Sequence, residues 1–233
     1  MVTTKQQPTV DPAARDTSSA GARWTAAGAA VVFGLALFVT VAAIDVPHDV
    51  SDAELLRWWQ QSGNRTAGVI SGFAAIFAGV AYPVVANFVT GLRSTATSPH
   101  WRAFTRSMVA AVTALWLVTG AVRATIGHAV DVTGEPLPGV DTLRIVTGIN
   151  YALLGLSGMT VLALSMLAFS ILLLRTRAMR PWVGRVGLLC SVPMLAAVAA
   201  QYGALTTLLG VLWSFCVAVA VWRHREDAAR ALD

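Results

Sequence analysis

Charged residues are scarce in this 233-residue chain: Asp, Glu, Lys and Arg make up 12% of it. An ordinary soluble domain carries about 25%. Hydrophobic residues reach 56%, which excludes a chain that is disordered over most of its length, and two cysteines are too few for a disulfide scaffold. The composition instead predicts an all-α integral membrane protein, because a helix satisfies its own backbone hydrogen bonds in lipid.

Lysine is almost absent, and Lys5 is the only one; the other basic residues are all arginines. The net charge is +5, but the basic residues lie between apolar stretches and form no single patch. This distribution argues against a nucleic-acid partner and favours contact with a lipid bilayer. Abundant Arg, Ala and Val are also associated with GC-rich bacterial genomes, so we expect a bacterial protein.

Motifs that carry chemistry are missing as well. The chain has no Walker loop, no His-Glu-x-x-His, no Gly-x-Ser-x-Gly and no Asp-rich diphosphate-binding motif, so we predict no cofactor. Cys190 and Cys216 lie inside apolar runs without neighbouring ligands, which indicates packing and not metal binding. No Asp, Glu, Lys or His falls in the middle of an apolar run, which argues against a proton-coupled pump.

Long apolar runs are what the chain does have. The last one, residues 186–222, would make a helix of about 55 Å, too long for one crossing, and Gln201-Tyr202-Gly203 near its middle predicts a turn. We therefore predict one bundle of six transmembrane helices within residues 24–222, with a disordered tail at 1–23 and a second tail at 223–233. The predicted helices are 24–44, 66–90, 104–126, 147–174, 182–200 and 204–222.

Arginine asymmetry predicts the orientation of this bundle. With both termini inside, thirteen basic residues lie on the inner side and four on the outer side, which agrees with the positive-inside rule. We therefore expect a multi-pass protein of the bacterial inner (plasma) membrane with both termini cytoplasmic. An alternative is that the first helix is a signal peptide cleaved near Val41-Ala42-Ala43. The four outer basic residues are Arg57, Arg65, Arg123 and Arg144.

The first outer loop carries a capping box at Ser51-Asp52-Ala53-Glu54, followed by apolar residues at helical spacing. This pattern predicts a short amphipathic helix at about 51–62 that stops at Gly63 and lies on the outer membrane face. Its role is either that of an interfacial anchor or that of a lid over an outward-facing cavity.

Small residues predict where helices approach closely. Gly68 and Gly72 begin a stripe of small residues on the second helix that continues through Ala75 and Gly79. Such stripes let two backbones come together in lipid. The partner is another helix of the same bundle or, alternatively, a second copy of the chain in a homo-oligomer through Gly68 and Gly72.

Arg123 is the one charged residue at the outer end of a predicted span. Either its side chain extends to the interface, or it pairs with an outer acid such as Asp131, Glu135 or Asp141. The candidates for catalysis on the outer side are the acid–base groups His128, Asp131, Asp45 and Asp141. The candidates for substrate binding are Arg123, His48, Asn150 and Trp59. The histidines and carboxylates also suggest a divalent metal site, but their spacing fits no established motif, so we predict none.

Several loop segments occur together: Pro47 with Ser51-Asp52-Ala53-Glu54-Leu55-Leu56, then Leu92-Arg93, and Arg177-Ala178-Met179-Arg180-Pro181-Trp182-Val183-Gly184 before the fifth helix. In this layout, residues 24–222 resemble small integral membrane proteins of unknown function from actinobacteria. The resemblance implies a six-helix membrane fold and supplies no catalytic residues.

Three functions fit the sequence. The first is an accessory, structural or regulatory membrane protein without catalytic chemistry. The second is a membrane enzyme, of the terpene-cyclase type, that acts on a lipid or isoprenoid substrate in an outward-facing pocket beneath the loop helix. The third is a small-solute permease, which needs a polar cavity at mid-depth near Asn87, Tyr82, Ser157 or Trp116. Convergence of the outer polar side chains on one pocket would favour the enzyme.

Overall fold

A computed structural model describes residues 20–47, 50–92, 99–177 and 179–230. Over these ranges the chain is helical and has no strand. We number the main helices α1 (Ala20–Ala42), α2 (Asp52–Gln60), α3 (Ser62–Gly91), α4 (Pro99–Gly127), α5 (Val140–Thr176), α6 (Pro181–Ala199) and α7 (Thr207–Arg230). All of them except α2 are long and apolar enough to cross a membrane. The predicted all-α fold with six transmembrane helices is confirmed.

Several helix ends differ from the predicted ones. One π-helical turn, His128–Val132, continues α4, and a second, Ala152–Gly158, lies inside α5. The last helix continues to Arg230, so the predicted tail at 223–233 begins as helix. Residues 20–23 of the predicted tail at 1–23 already belong to α1, and the rest of that tail lies outside the described residues.

The helices pack in neighbouring pairs around one main core. Helix α3 packs along both α1 and α4, α1 also contacts α7, and the second half of α5 packs on α6. Trp24 at the start of α1 meets Trp222 near the end of α7, with 4.3 Å between the ring centroids. The start of α1 and the end of α7 therefore lie at the same end of the bundle, and α2 lies at the opposite end.

Large apolar side chains cover the outer surface of the bundle. Phe73, Phe77 and Leu189 are 57%, 59% and 73% exposed, respectively. A monomeric soluble protein rarely exposes such residues as a continuous surface. In lipid they are in their preferred solvent, so this surface and the six long helices together identify an integral membrane protein.

Glycines bring α3 and α4 into backbone contact. A Cβ atom added to Gly72 would lie 2.6 Å from the carbonyl oxygen of Gly120, and one added to Gly68 would lie 3.3 Å from that of Arg123. The small-residue stripe is therefore occupied within the chain. A homo-oligomer through Gly68 and Gly72 stays a prediction.

Helix α2 begins at the predicted capping box. The Ser51 Oγ accepts from the amide of Glu54, and the Glu54 carboxylate accepts from the amide of Ser51. The predicted stop at Gly63 is wrong, because α2 ends at Gln60 and Gly63 lies in the first turn of α3. Leu55 and Trp59 are buried in a small core with Ile44, Val46, Ile126 and Leu143, so the apolar face of α2 rests on protein and not on lipid.

Candidate functional site

A cavity of about 520 Å³ opens at the end of the bundle that carries α2. It lies between the end of α1, the last turns of α4, the middle of α5 and the turn that leads into α7. Apolar side chains, among them Phe38, Leu154 and Leu208, form most of its wall, and a few polar groups lie between them. Ligand sites in proteins typically have this mixture of an apolar wall with a few polar groups.

Arg123 is the cation of this cavity. It is 7% exposed, and its side chain turns into the bundle. Its Nε donates to the Ser71 hydroxyl at 2.6 Å, and its terminal nitrogens make longer hydrogen bonds to the Ile44 carbonyl at 3.4 Å and the Asn150 Oδ1 at 3.5 Å. All three acceptors are neutral, so the guanidinium lies in a buried place without a carboxylate in contact among the described residues.

The Arg123 contact continues into α1. The Ser71 hydroxyl that accepts from Arg123 donates in turn to the Thr40 carbonyl at 2.6 Å. This chain of hydrogen bonds ties α4 to α3 and α3 to α1 at the floor of the cavity. Both sequence-based expectations for Arg123 are therefore wrong: its side chain does not extend to the interface, and it does not pair with Asp131, Glu135 or Asp141.

Thr147, which is buried, and Asn150, which is half-buried, supply polar groups about one helical turn apart on α5. The Thr147 Oγ1 is buried, and no other described residue gives it a hydrogen-bond partner. Most threonines in the helices of this chain, such as Thr119 and Thr125, donate to the carbonyl four residues earlier. Thr147 lines the cavity, and its hydroxyl makes no such bond.

The mouth of the cavity is partly charged and partly apolar. Asp45 lines the cavity and is exposed, and its charge attracts Arg123 from beyond contact distance. The exposed side chains Tyr151, Leu205 and Leu208 form the part of the rim between α5 and the start of α7. Exposed apolar residues therefore form this side of the mouth.

The remaining candidates do not join this cavity. Asp131 forms an ion pair with Arg65 at 2.7 Å, and His128 and Asp141 are exposed on other surfaces. The indole of Trp59 is buried in the small core beneath α2. His48 lies outside the described residues. Of the predicted site residues, the structure therefore brings together Asp45, Arg123 and Asn150, and the expected pocket beneath α2 with His128, Asp131 and Asp141 does not form.

No group of three His, Cys, Asp or Glu side chains converges in the described part of the chain. The residues named for a permease do not form a polar passage either. The hydroxyls of Tyr82 and Ser165 bond each other, and the void beside Tyr82 measures about 10 Å³, which is smaller than any organic solute. Asn87 lies on an exposed face of α3.

Sequence reasoning missed Ser71 and Thr147. The spacing of Ser71 could have identified it. Ser71 lies between Gly68 and Gly72 on the face of α3 that meets α4, which is the face where a polar partner for Arg123 is expected. Thr147 carried no signal, because a threonine in an apolar helix ordinarily bonds its own backbone. Comparisons of this chain with family models, curated proteins and solved structures gave no match.

Proposed function

We propose that this protein is a multi-pass protein of the bacterial plasma membrane that binds one amphiphilic molecule, a lipid or an isoprenoid, in the Arg123 cavity. It acts as an accessory or regulatory component and not as a catalyst. The observation that carries the proposal is the cavity itself: a volume of about 520 Å³ with a mostly apolar wall, a buried cation and exposed apolar side chains at the rim.

The size of the cavity supports a ligand of this class. Pockets for drug-sized molecules measure about 300–1,000 Å³, and this one lies within that range. A small polar solute would leave the surfaces of Phe38, Leu154 and Leu208 in contact with water. A chain of methylene groups would cover them, at about 25 cal/mol of stabilisation for each Å² of apolar surface removed from water.

The separation of the acid–base candidates supports binding over catalysis. General acid–base chemistry needs a titratable group within hydrogen-bond reach of the substrate. His128 and Asp141 do not line the cavity, and Asp131 is paired with Arg65. Asp45 is the one candidate acid at the cavity, and it lies at the rim. An enzyme of the terpene-cyclase type is the alternative outcome of the tests below.

The distribution of arginine supports an orientation with both termini in the cytoplasm. In that orientation α2 and the cavity face the outer side, and the exposed rim residues Leu205 and Leu208 lie at the level of the outer leaflet. We also propose that the chain belongs with the small actinobacterial membrane proteins that its loop motifs resemble.

Labelling with a photoreactive lipid tests the binding proposal. The purified protein, in phosphatidylcholine nanodiscs, is irradiated with hexadecanol and palmitate analogues that each carry a diazirine in the chain, and the labelled peptides are mapped. We expect labels at 147–155 and 204–208 beyond the even labelling of the outer surface. Turnover of the bound molecule to a new product would instead indicate the enzyme.

A matched pair of variants locates the label. Leu154→Trp fills the cavity, whereas Leu156→Trp places the same side chain on an exposed face two residues away. We expect Leu154→Trp to abolish the cavity label and Leu156→Trp to retain it. Equal labelling of both variants, or wild-type labelling confined to the outer surface, would refute the proposed binding function.

Cysteine labelling tests the orientation. In a chain with Cys190→Ala and Cys216→Ala, a single cysteine is introduced by Glu135→Cys or by Asp233→Cys. A membrane-impermeant maleimide applied to intact cells should react with the first variant and not with the second. The reverse pattern would place the cavity on the cytoplasmic side.

A further inference from the structure

We infer that the ligand of this cavity carries a singly negative headgroup, a carboxylate or a phosphate diester, which binds between the Arg123 guanidinium and the Thr147 hydroxyl. This inference rests on the proposed function and names the chemical class of the ligand. Two independent observations carry it: a buried cation without a contacting carboxylate, and a buried hydroxyl without a partner, on two different helices that line the same cavity.

The hydrogen bonds of Arg123 leave its charge available. A guanidinium presents five N–H groups in a rigid fork that matches the two oxygens of a carboxylate or phosphate. The Nε–H is used by Ser71, which fixes the direction of the side chain. The terminal nitrogens make only the long bonds to Ile44 and Asn150, so they are the groups that an incoming anion would engage.

A buried charge without a counter-ion is costly, which favours a negatively charged ligand. Burial in an apolar region removes the water that would otherwise solvate the guanidinium. An anion in contact restores that lost solvation and forms charge-assisted hydrogen bonds, which are about twice as strong as neutral ones. A neutral headgroup would leave the guanidinium without a counter-ion in contact. The cavity therefore favours an anionic headgroup over a neutral one.

Thr147 supplies the second contact. Thr147 is one of the cavity-lining residues of α5, and no described neighbour gives its buried Oγ1 a hydrogen bond. A hydroxyl donates readily to an anionic oxygen. Arg123 and Thr147 line the same cavity from α4 and α5.

Asp45 and the apolar wall narrow the choice of anion. The Asp45 carboxylate at the rim repels negative charge, so a headgroup with one negative charge is favoured over one with two. Most of the wall is apolar, which favours an anion attached to a hydrocarbon chain over free phosphate.

The test compares the palmitate probe with the hexadecanol probe in the same nanodiscs, at a pH where the carboxylate is ionised. Because a hydrogen bond to a charged group contributes about 1.5–3 kcal/mol, we expect the palmitate probe to label the cavity at least about tenfold more efficiently at limiting concentration. Thr147→Val should reduce this preference several-fold, and Thr147→Ser, which keeps the hydroxyl, should restore it.

Thr113→Val is the matched control. Thr113 also has a buried Oγ1 without a partner among the described residues, but it does not line the cavity. We expect Thr113→Val to keep the wild-type preference for palmitate. An equal loss in Thr113→Val and Thr147→Val would overturn the role of Thr147, because it would show a general effect of removing a buried hydroxyl.

Arg123→Gln tests the cation. It should remove the preference for palmitate while hexadecanol still labels the cavity. Should this variant fail to fold, the Thr147 series decides alone.

Equal cavity labelling of the wild type by both probes would overturn the inference and leave the proposed function standing. If neither probe labels the cavity, the inference and the proposed function are both overturned. A third arm adds inorganic phosphate in excess: displacement of palmitate would show that the site takes free anions, against the lipid headgroup, and retention of palmitate supports the inference as stated.

Discussion

The two sides of α4 differ in how they meet the rest of the bundle. On the side of α3, Gly72 and Gly120 bring the two backbones into contact and leave no space for a side chain. On the side of α1 and α5, the helices separate and leave a cavity of about 520 Å³. Arg123 belongs to both sides, because its Nε bonds Ser71 on α3 while its terminal nitrogens face the cavity. The contact between α3 and α4 therefore fixes the position of the Arg123 guanidinium, and the cavity on the other side of α4 leaves its terminal nitrogens available to a ligand.

Adding a methyl group at the glycine contact should have the largest effect on stability. In Gly72→Ala the added Cβ would lie 2.6 Å from a backbone carbonyl, so α3 and α4 must move apart. Overpacking of this kind costs about 1–3 kcal/mol, measured by equilibrium unfolding in mixed micelles. Gly148→Ala is the control, because nothing lies within 4 Å of the position of its Cβ. Equal stabilities of the two variants would contradict the account of the contact.

Removing the Ser71 hydroxyl, which links Arg123 to α3 and α1, should have the next largest effect on stability. Ser71→Ala deletes the acceptor of Arg123 and the donor to the Thr40 carbonyl, and leaves the Arg123 Nε–H unsatisfied. The expected cost in the free energy of unfolding is about 1–3 kcal/mol. Ser191→Ala removes a buried hydroxyl that bonds only within its own helix, so it should cost less. A Ser71→Ala variant as stable as Ser191→Ala would show that the link contributes nothing.

A change in the closed core should leave the cavity unaffected. Tyr82→Phe removes the hydrogen bond between the hydroxyls of Tyr82 and Ser165, which joins α3 to α5. We expect a loss of about 0.5–1.5 kcal/mol in unfolding and no change in palmitate labelling of the cavity. Loss of labelling in this variant would mean that core and cavity are coupled, and the comparison between them would need revision.

The smallest effect is expected at α2, which packs on the small core and not on the main core. The Ser51 backbone amide and then its hydroxyl donate to the Glu54 carboxylate and hold the pKa of that carboxyl below its ordinary value of 4.5. The contribution of Glu54 to α2 is therefore fully present above pH 4.5 and is lost as the pH falls through the lowered pKa. Hydrogen exchange should show amides of α2 exchanging several-fold faster in Ser51→Ala near neutral pH, with the difference from wild type shrinking in acid. A difference that does not depend on pH would contradict the role of the carboxylate.

The sequence predicted the closed parts of the molecule better than the open one. Six crossings follow from composition, and the α2 capping box follows from Ser51 and Glu54, because both features depend on residues close together in the chain. The small-residue stripe on α3 could be predicted for the same reason, but the helix that packs against it, α4, could not. Spacing along a helix gives a face and does not say which helix covers it.

The cavity could not be predicted to the same extent. Arg123 stood out as the only charge at the outer end of a predicted span, but nearness in sequence suggested Asp131 as its partner. Asp131 lies about 80° further round an ideal helix. The structure pairs Asp131 with Arg65 instead. The free hydroxyl of Thr147 and the separation of α5 from α1 depend on how helices distant in sequence pack, which no local pattern encodes.

A structure of the protein in lipid nanodiscs, determined by electron cryo-microscopy with a bound antibody fragment, tests the central claim most directly. We expect elongated density in the cavity between α1, α4, α5 and the start of α7, with its polar end within hydrogen-bond distance of Arg123 and Thr147. A cavity closed by α1 and α5, with Arg123 in contact with the Asp45 carboxylate, would contradict it.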